Sequence, residues 1–188
     1  MPMPEPLADL STLSLAEIAR AVAEKRLPPV ESWNPSHCGD SEMRIAADGT
    51  WFHQGSPIGR KAMVQLFSTI LRREADGGYV LVTPAEKLDI IVEDAPFIAV
   101  EVRVEGEREH RTLAFRLNTD ELVVAGPDHP IRFADTSDGP RPYVMVRGHM
   151  EALILRPVYY ELATIALDEG ADPPGIWSDG AFFAMVVD

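Results

Sequence analysis

The clearest periodicity in the chain lies at 97–117. Ile98, Val100, Val102 and Val104 alternate there with Ala99, Glu101, Arg103 and Glu105, and Leu113, Phe115 and Leu117 share one face of the next segment. A period of two marks half-buried strands. Gly106-Glu107 supplies a two-residue turn of type II′, with Gly at its first central position. That turn sets a register in which Val100 faces Leu113, Ile98 faces Phe115, Glu105 faces Arg108 and Arg103 faces His110. Charge complementarity across the ladder supports the pairing.

The flanking pattern is mixed. Leu15, Ile18, Ala19 and Val22 recur at helical spacing, so a first helix is predicted over 14–26. Ser14 and Glu17 form a capping box at its start, and Pro28-Pro29 stops it. Residues 31–42 read as loop. "MRIAADGTWFHQ" reads as a hairpin about a type I′ turn at Asp48-Gly49. A second helix over 60–73 would bury Met63, Leu66, Phe67, Ile70 and Leu71. "GYVLVT", "KLDIIVED", "ELVVAG" and "IRF" follow as short strands, and "PYVMVRGHMEALIL" as a hairpin bent at Gly148. Pro157 opens a third helix, to Glu169, with Tyr159, Leu162, Ala163, Ala166 and Leu167 inward. "GIWSDGAFFAMVVD" closes the chain as a hairpin or an irregular strand. "ADGTWFHQ" (47–54) echoes "SDGAFFAM" (178–185), which raises a structural repeat.

These elements predict an α+β fold with mostly antiparallel sheets. The expected division is a flexible tail at 1–13, an N-terminal lobe at 14–84, and a C-terminal antiparallel lobe at 85–188 that carries the helix at 157–169.

Composition narrows the function. The 188 residues are 46% hydrophobic and 25% charged, as in an ordinary globular protein. The net charge is −13, and the longest cation runs are pairs such as Arg60-Lys61 and Arg72-Arg73. A polynucleotide partner is not expected, because its phosphates call for a basic stripe. No apolar run approaches the roughly 20 residues of a membrane helix, so no membrane insertion is expected. Cys38 is the single cysteine, which fits a reducing compartment and a cytoplasmic location.

Chemical motifs are few. "GSPIGRKA" fails as a P-loop, since Gly55 and Gly59 stand three residues apart and Ala62 follows Lys61 where a hydroxyl is needed. Arg60 and Lys61 still fall in a first helical turn, where cations are disfavoured by about 0.3–1 kcal/mol each and a compensating anion is favoured. The alternative is that both side chains point to water or pair with nearby acids. His53 shares a face with Trp51 and reads as a ligand contact or a structural histidine. "VTPAEKLDIIVEDAPF" holds Thr83, Glu86 and Lys87 at a strand start; a solvated turn and a polar pocket wall both fit. The five histidines show no metal-ligand spacing, and Ser56 lies in no nucleophile elbow. No metal, cofactor or catalytic residue is assigned.

The run "GTWFHQGSPIGRKAMVQLFSTILRREADGGYVLVTPAEKLDIIVEDAPF", with "HPIRF", "PYVMVRG", "RPVYYEL" and "GIWSDGAFF", resembles the bacterial family called domain of unknown function 1285, from about Trp33 onward. The resemblance implies two α+β lobes with repeated structural motifs, the second superficially like a pleckstrin-homology barrel. It also implies a nucleotide-like ligand in a cleft between lobes, a role in signal transduction, and a place near that cleft for His53, Arg60, Thr83, Glu86 and Lys87. One departure is Met185 after "FFA", where the family pattern suggests a proline beyond the paired phenylalanines.

The reading is a sensory or regulatory module for a small anionic ligand, more a binder than an enzyme. Arg60 and Lys61, helped by Arg147, would neutralise charge. Trp51 or Tyr143 would stack on a base, and Thr83, Glu86 and Lys87 would supply polar contacts. One alternative is a protein-interaction module without a small ligand, its partner unknown. Another is a nucleotide hydrolase with His53 or Glu86 as general base.

Overall fold

The structure, a computed structural model, describes residues 13–186. The expected tail at 1–13 lies almost wholly outside the described residues. The chain divides into two compact lobes. The first takes in Lys25–Pro96 and Gly148–Met150; the second takes in residues 13–24, Phe97–Arg147 and residues 151–186.

The first lobe is a six-stranded sheet: β1 (His37–Ile45), β2 (Trp51–His53), β3 (Ser56–Pro57), β4 (Leu71–Arg73), β5 (Tyr79–Val82) and β6 (Glu86–Val92), with α2 (Lys61–Thr69) between β3 and β4. Its strand order is β3-β2-β1-β6-β5-β4. All neighbours are antiparallel except β1 and β6, which run parallel at the centre. Ile45, Trp51, Leu71, Val82 and Ile90 form its core.

The second lobe repeats that path. Its strands are β7 (Phe97–Glu105), β8 (Thr112–Leu117), β9 (Leu122–Val124), β10 (Ile131–Thr136), β11 (Gly139–Arg147) and β12 (Met150–Ile154), in the order β10-β11-β12-β7-β8-β9. Each sheet is thus two three-stranded meanders, joined where the first strand pairs parallel with the last. The repeated motif is a repeat of topology. Helix α1 (Leu15–Glu24) packs on β9, α3 (Arg156–Glu169) follows β12, and β13 (Gly175–Ser178) with β14 (Ala181–Ala184) makes a separate hairpin. The fold is α+β, mostly sheet, with three helices among the described residues.

Several local expectations change. The change of lobe, expected after Pro84, comes some twelve residues later, because β6 lies in the middle of the first sheet between β1 and β5. The first helix, expected within the first lobe, groups with the second. The polar stretch at 37–42, read as loop, is strand: it lacks alternation and is held by backbone pairing to β6 around a bulge between Asp40 and Met43. The second helix ends at Thr69, and Leu71–Arg73 turns into strand β4. Met63 and Leu66 of its expected inward face are exposed, as is Leu167 of α3.

The β7–β8 register also differs. Val104 faces Leu113, Val102 faces Phe115 and Glu105 faces Thr112. The apolar face survives because the shift is even. The loop runs through a 3-10 turn at Arg108–His110 and returns across Gly106, where a Cβ would stand 2.3 Å from the His110 carbonyl oxygen. Glu101 then pairs with Arg116, and Arg103 with Glu105 along its own strand.

Two of the four Asp-Gly pairs, at 48–49 and 179–180, make hairpins of different kinds. Asp179 (φ 49°) and Gly180 (φ 77°) form the two-residue turn with both central residues left-handed. At Asp48-Gly49 only Gly49 is left-handed, and the loop has three residues closed by the Ala46 amide on the Thr50 carbonyl. Its counterpart is Ala75-Asp76-Gly77. Glu74 donates to the Gly78 carbonyl, Gly77 has φ 89°, and the Asp76 Oδ1 accepts from the Gly78 amide as the Asp48 Oδ1 accepts from Thr50. The second loop turns β4 into β5 and shapes the site below.

Candidate functional site

Strand β4 is an edge strand whose three residues are Leu71, Arg72 and Arg73. Successive side chains point to opposite faces. Arg72 is buried, and its Nη1 donates to the carbonyls of Val30 and Trp33, both at 2.7 Å. Its Nη2 donates to Glu74 Oε1 at 2.9 Å, and Lys87 Nζ reaches the same oxygen at 3.3 Å. Burial pushes the Glu74 carboxyl up. Hydrogen bonds and charge from Arg72 and Lys87 more than offset this, so it titrates below the ordinary value. Glu74 is therefore a fixed anion pinned between two cations.

Arg73 is exposed beside it. Its Nη1 donates to the His149 carbonyl at 3.0 Å, and its guanidinium lies 5.6 Å from the Tyr79 ring centroid. Among the described residues the bond to His149 is its one hydrogen bond, and a guanidinium carries five N–H donors. Together with Glu74, Ala75, Gly77 and His149, it lines an open groove of about 480 Å³. His149 holds φ 60°, a left-handed conformation uncommon outside glycine, as second residue of the turn Gly148-His149. In and beneath this groove Arg72, Arg73 and Lys87 outnumber Glu74 and Asp76, in a chain whose net charge is −13. A locally cationic concavity with open guanidinium donors can hold a carboxylate or phosphoryl group.

The nine residues expected at a site are dispersed. Thr83, Glu86 and Lys87 come together at the β5–β6 turn, where Thr83 Oγ1 accepts from the amides of Ala85 and Glu86. Of these three, only Lys87 reaches the groove, through Glu74. His53, Arg60 and Lys61 are exposed near the β3 edge, with Arg60 as the residue before α2. Strand β2 stands four strand spacings from β4, about 19 Å. Trp51 cannot stack on a base, because it is 2% exposed and packs on Phe67 with centroids 6.5 Å apart. Tyr143, also buried, carries the Arg132 guanidinium 4.5 Å over its ring. Arg147 lies 3.2 Å from Glu121 and 5.3 Å over the Phe97 ring, so its charge is already answered within the second lobe.

Arg73 and Glu74 were missed because apolar spacing through Ile70 and Leu71 carries a helix past its true end, and His149 because the turn at 148–149 is far from them in sequence. The signal that finds Arg73 and Glu74 is Asp76-Gly77-Gly78 between "LRRE" and "YVLV", a hairpin pattern. Among the described residues no group of His, Cys, Asp and Glu is arranged to hold a metal, and no helix is long and apolar enough to cross a membrane.

Two family models match the chain. "Domain of unknown function (DUF1285), N-terminal domain" covers residues 28–95, and "Protein of unknown function (DUF1285), C-terminal domain" covers 96–185. The meeting point coincides with the change of lobe. A DUF1285 family protein from Silicibacter pomeroyi DSS-3 is 47% identical, over 93% of this chain and 95% of that one, with a TM-score of 0.81. One from Shewanella baltica OS155 is 26% identical, over 65% and 90%, with a TM-score of 0.51. No curated protein matches the chain.

Proposed function

The chain belongs to the DUF1285 family, and on that premise we propose that it is a regulatory binding module for a small anionic ligand, taken up at the cationic groove of the first lobe. One observation carries the reading: an open guanidinium, that of Arg73, lines a groove of about 480 Å³ floored by a carboxylate already held by two cations. An incoming anion meets Arg73 while Glu74 stays neutralised by Arg72 and Lys87. Nucleotides, sugar phosphates and dicarboxylates are the matching classes. A role in signal transduction follows if occupancy changes what the protein binds.

The test is thermal unfolding against a panel of those three classes. A ligand at 100 times its Kd raises stability by about 2.7 kcal/mol. A saturable rise in Tm that Arg73→Glu abolishes supports the reading. A rise that survives Arg73→Glu, or no rise from any class with folded protein, overturns it. The protein-interaction reading draws on exposed apolar side chains, Leu66 of α2 and Ile91 of β6, each 64% exposed. It is tested by whether Leu66→Glu abolishes capture of a partner by the full chain.

A further inference from the structure

Strand lengths in the second sheet leave a gap. Strand β11 has nine residues and β12 five, and a two-residue turn joins them. The first four residues of β11, at 139–142, therefore run past the end of β12, while their other side stays paired with β10. Met145 donates to the Pro130 carbonyl, which makes 132/143 and 134/141 the bonded pairs. The backbone of Pro140 and Pro142 is thereby turned away from β10, toward the gap. Neither proline carries an N–H, so the overhang offers no donor there to a further strand. What fits the gap is a small molecule rather than an added strand.

The chain that leaves β12 for α3 closes the gap into a cavity of about 200 Å³, lined by Pro140, Arg141, Pro142, residues 153–156 and Tyr159. Phe133 lies opposite Pro142 in the ladder, and the Tyr159 ring packs on Phe133 with centroids 6.2 Å apart, so that ring is a fixed wall. Leu155 is 37% exposed although its side chain is wholly apolar. The lining is proline, aliphatic and tyrosine carbon with two arginines, and it holds no carboxylate among the described residues. Asp135 faces Pro140 across the ladder but does not line the cavity.

Arg156 differs from five other arginines of this lobe. Arg103, Arg111, Arg116, Arg132 and Arg147 each meet a carboxylate. Arg156 is exposed and, among the described residues, makes no hydrogen bond or ion pair, in a chain whose net charge is −13. An unanswered guanidinium on an apolar cavity suits an anion with an apolar body. The volume lies below the roughly 300–1,000 Å³ of sites for drug-sized ligands, so that body is about one ring. Tyr159 offers a ring such a body a face or an edge to pack on.

We propose that this cavity binds a small aromatic carboxylate, with the carboxylate on Arg156 and the ring against Pro142, Leu155 and Tyr159. The site belongs wholly to the second lobe and does not depend on the groove of the first.

The experiment titrates sodium benzoate into the full-length, 15N-labelled chain and follows amide chemical shifts, with benzamide and acetate as controls. Benzamide keeps the ring without the charge, and acetate the charge without the ring. Saturable shifts at Arg141, Leu155, Arg156 and Tyr159 are expected, with affinity about tenfold weaker in Arg156→Gln, the loss of one charge-assisted hydrogen bond. Leu155→Trp, which fills the cavity, should abolish them. Four results overturn the proposal: no saturable shift in the folded chain, benzamide or acetate binding as tightly as benzoate, affinity unchanged in Arg156→Gln or Leu155→Trp, or shifts confined to Arg73 and His149, which would assign the anion to the first-lobe groove.

Discussion

Replacing Glu169 by Gln isolates one electrostatic contact in the second lobe. The Arg111 side chain is 4% exposed and ends in a two-point pair with Glu169, at the last turn of α3. The same residue's carbonyl accepts from the Asp179 amide, so Arg111 ties the β7–β8 loop both to α3 and to the turn between β13 and β14. Removing one partner of a buried pair costs about 3–5 kcal/mol, because the other charge stays buried without compensation. The Glu169 side chain is 16% exposed, so water reaches part of the site. A loss of about 2–3 kcal/mol is therefore expected. For a lobe of this size each kcal/mol moves Tm by about 4–8 °C, which gives a fall of roughly 10–20 °C.

The assay is unfolding followed at Trp177, with Trp33 and Trp51 changed to Phe so that only the second lobe reports. The double variant Arg111→Met with Glu169→Leu should recover most of the loss, since apolar replacement of both partners leaves no buried charge. The pH dependence has a fixed sign. The hydrogen bond from Arg111 is the largest cause lowering the Glu169 pKa; burial opposes it, and the Arg111 charge adds to the lowering. The unfolded chain thus takes up its proton first as pH falls. The stabilisation is full above the ordinary carboxylate range and is lost as pH drops through the lowered folded value. Glu169→Gln should lack this contribution to the acid limb. A variant within about 0.5 kcal/mol of wild type, or a double variant no better than the single, would refute the account.

Gly106→Ala should destabilise the second lobe by about 2 kcal/mol or more, measured by denaturant unfolding at Trp177, because the site combines φ 77° with a Cβ position 2.3 Å from a carbonyl oxygen. Trp51→Phe should be close to neutral, since it keeps an aromatic ring beside Phe67 and removes an indole Nε1 that is buried without a partner. Trp51→Ala should cost about 3–5 kcal/mol through the cavity it leaves; equal costs for the two changes would show that the indole N–H matters more than the ring. Asp76→Ala removes the acceptor for the Gly78 amide and should cost about 1 kcal/mol, with faster amide exchange confined to the β4–β5 hairpin.

The parts of the fold legible in the sequence are those where a local rule acts without competition. The Ser14–Glu17 capping box forms as read, with reciprocal bonds of 2.6 and 3.2 Å. The alternating face of β7 and β8 is correct because period-two patterning survives an even shift, whereas the register differs because the loop closes through a 3-10 turn at Arg108–His110 instead of the two-residue turn Gly106-Glu107. Strand β1 was hidden for a related reason: its polar first half has no pattern of its own and is strand only because β6 lies beside it. The site was legible only at Lys87. Trp51, His53 and Arg60 attract attention as residue types, but sheet order sets them far from β4, and sheet order is not a property of any short segment. The echo between 47–54 and 178–185 paired the wrong loops, since the structural counterpart of Ala47-Asp48-Gly49 is Ala75-Asp76-Gly77.

The shared path of the two sheets carries a consequence for where each lobe can end. In each, the first strand and the last pair in parallel at the centre, so the sheet is incomplete until its final strand arrives. For the first lobe that strand is β6. It makes seven register pairs with β1 and four with β5. A chain stopped at Pro84 would leave two interior strands with bare edges and the core residue Met43 without Ile90 opposite it. A fragment of residues 25–96 should therefore fold, with dispersed amide resonances and a cooperative thermal transition, whereas one of residues 25–84 should show neither. The two differ by only twelve residues, so size does not explain the contrast. A folded 25–84 fragment would mean that β6 merely adds to a sheet that β1 to β5 already stabilise, and would restore the lobe boundary to Pro84.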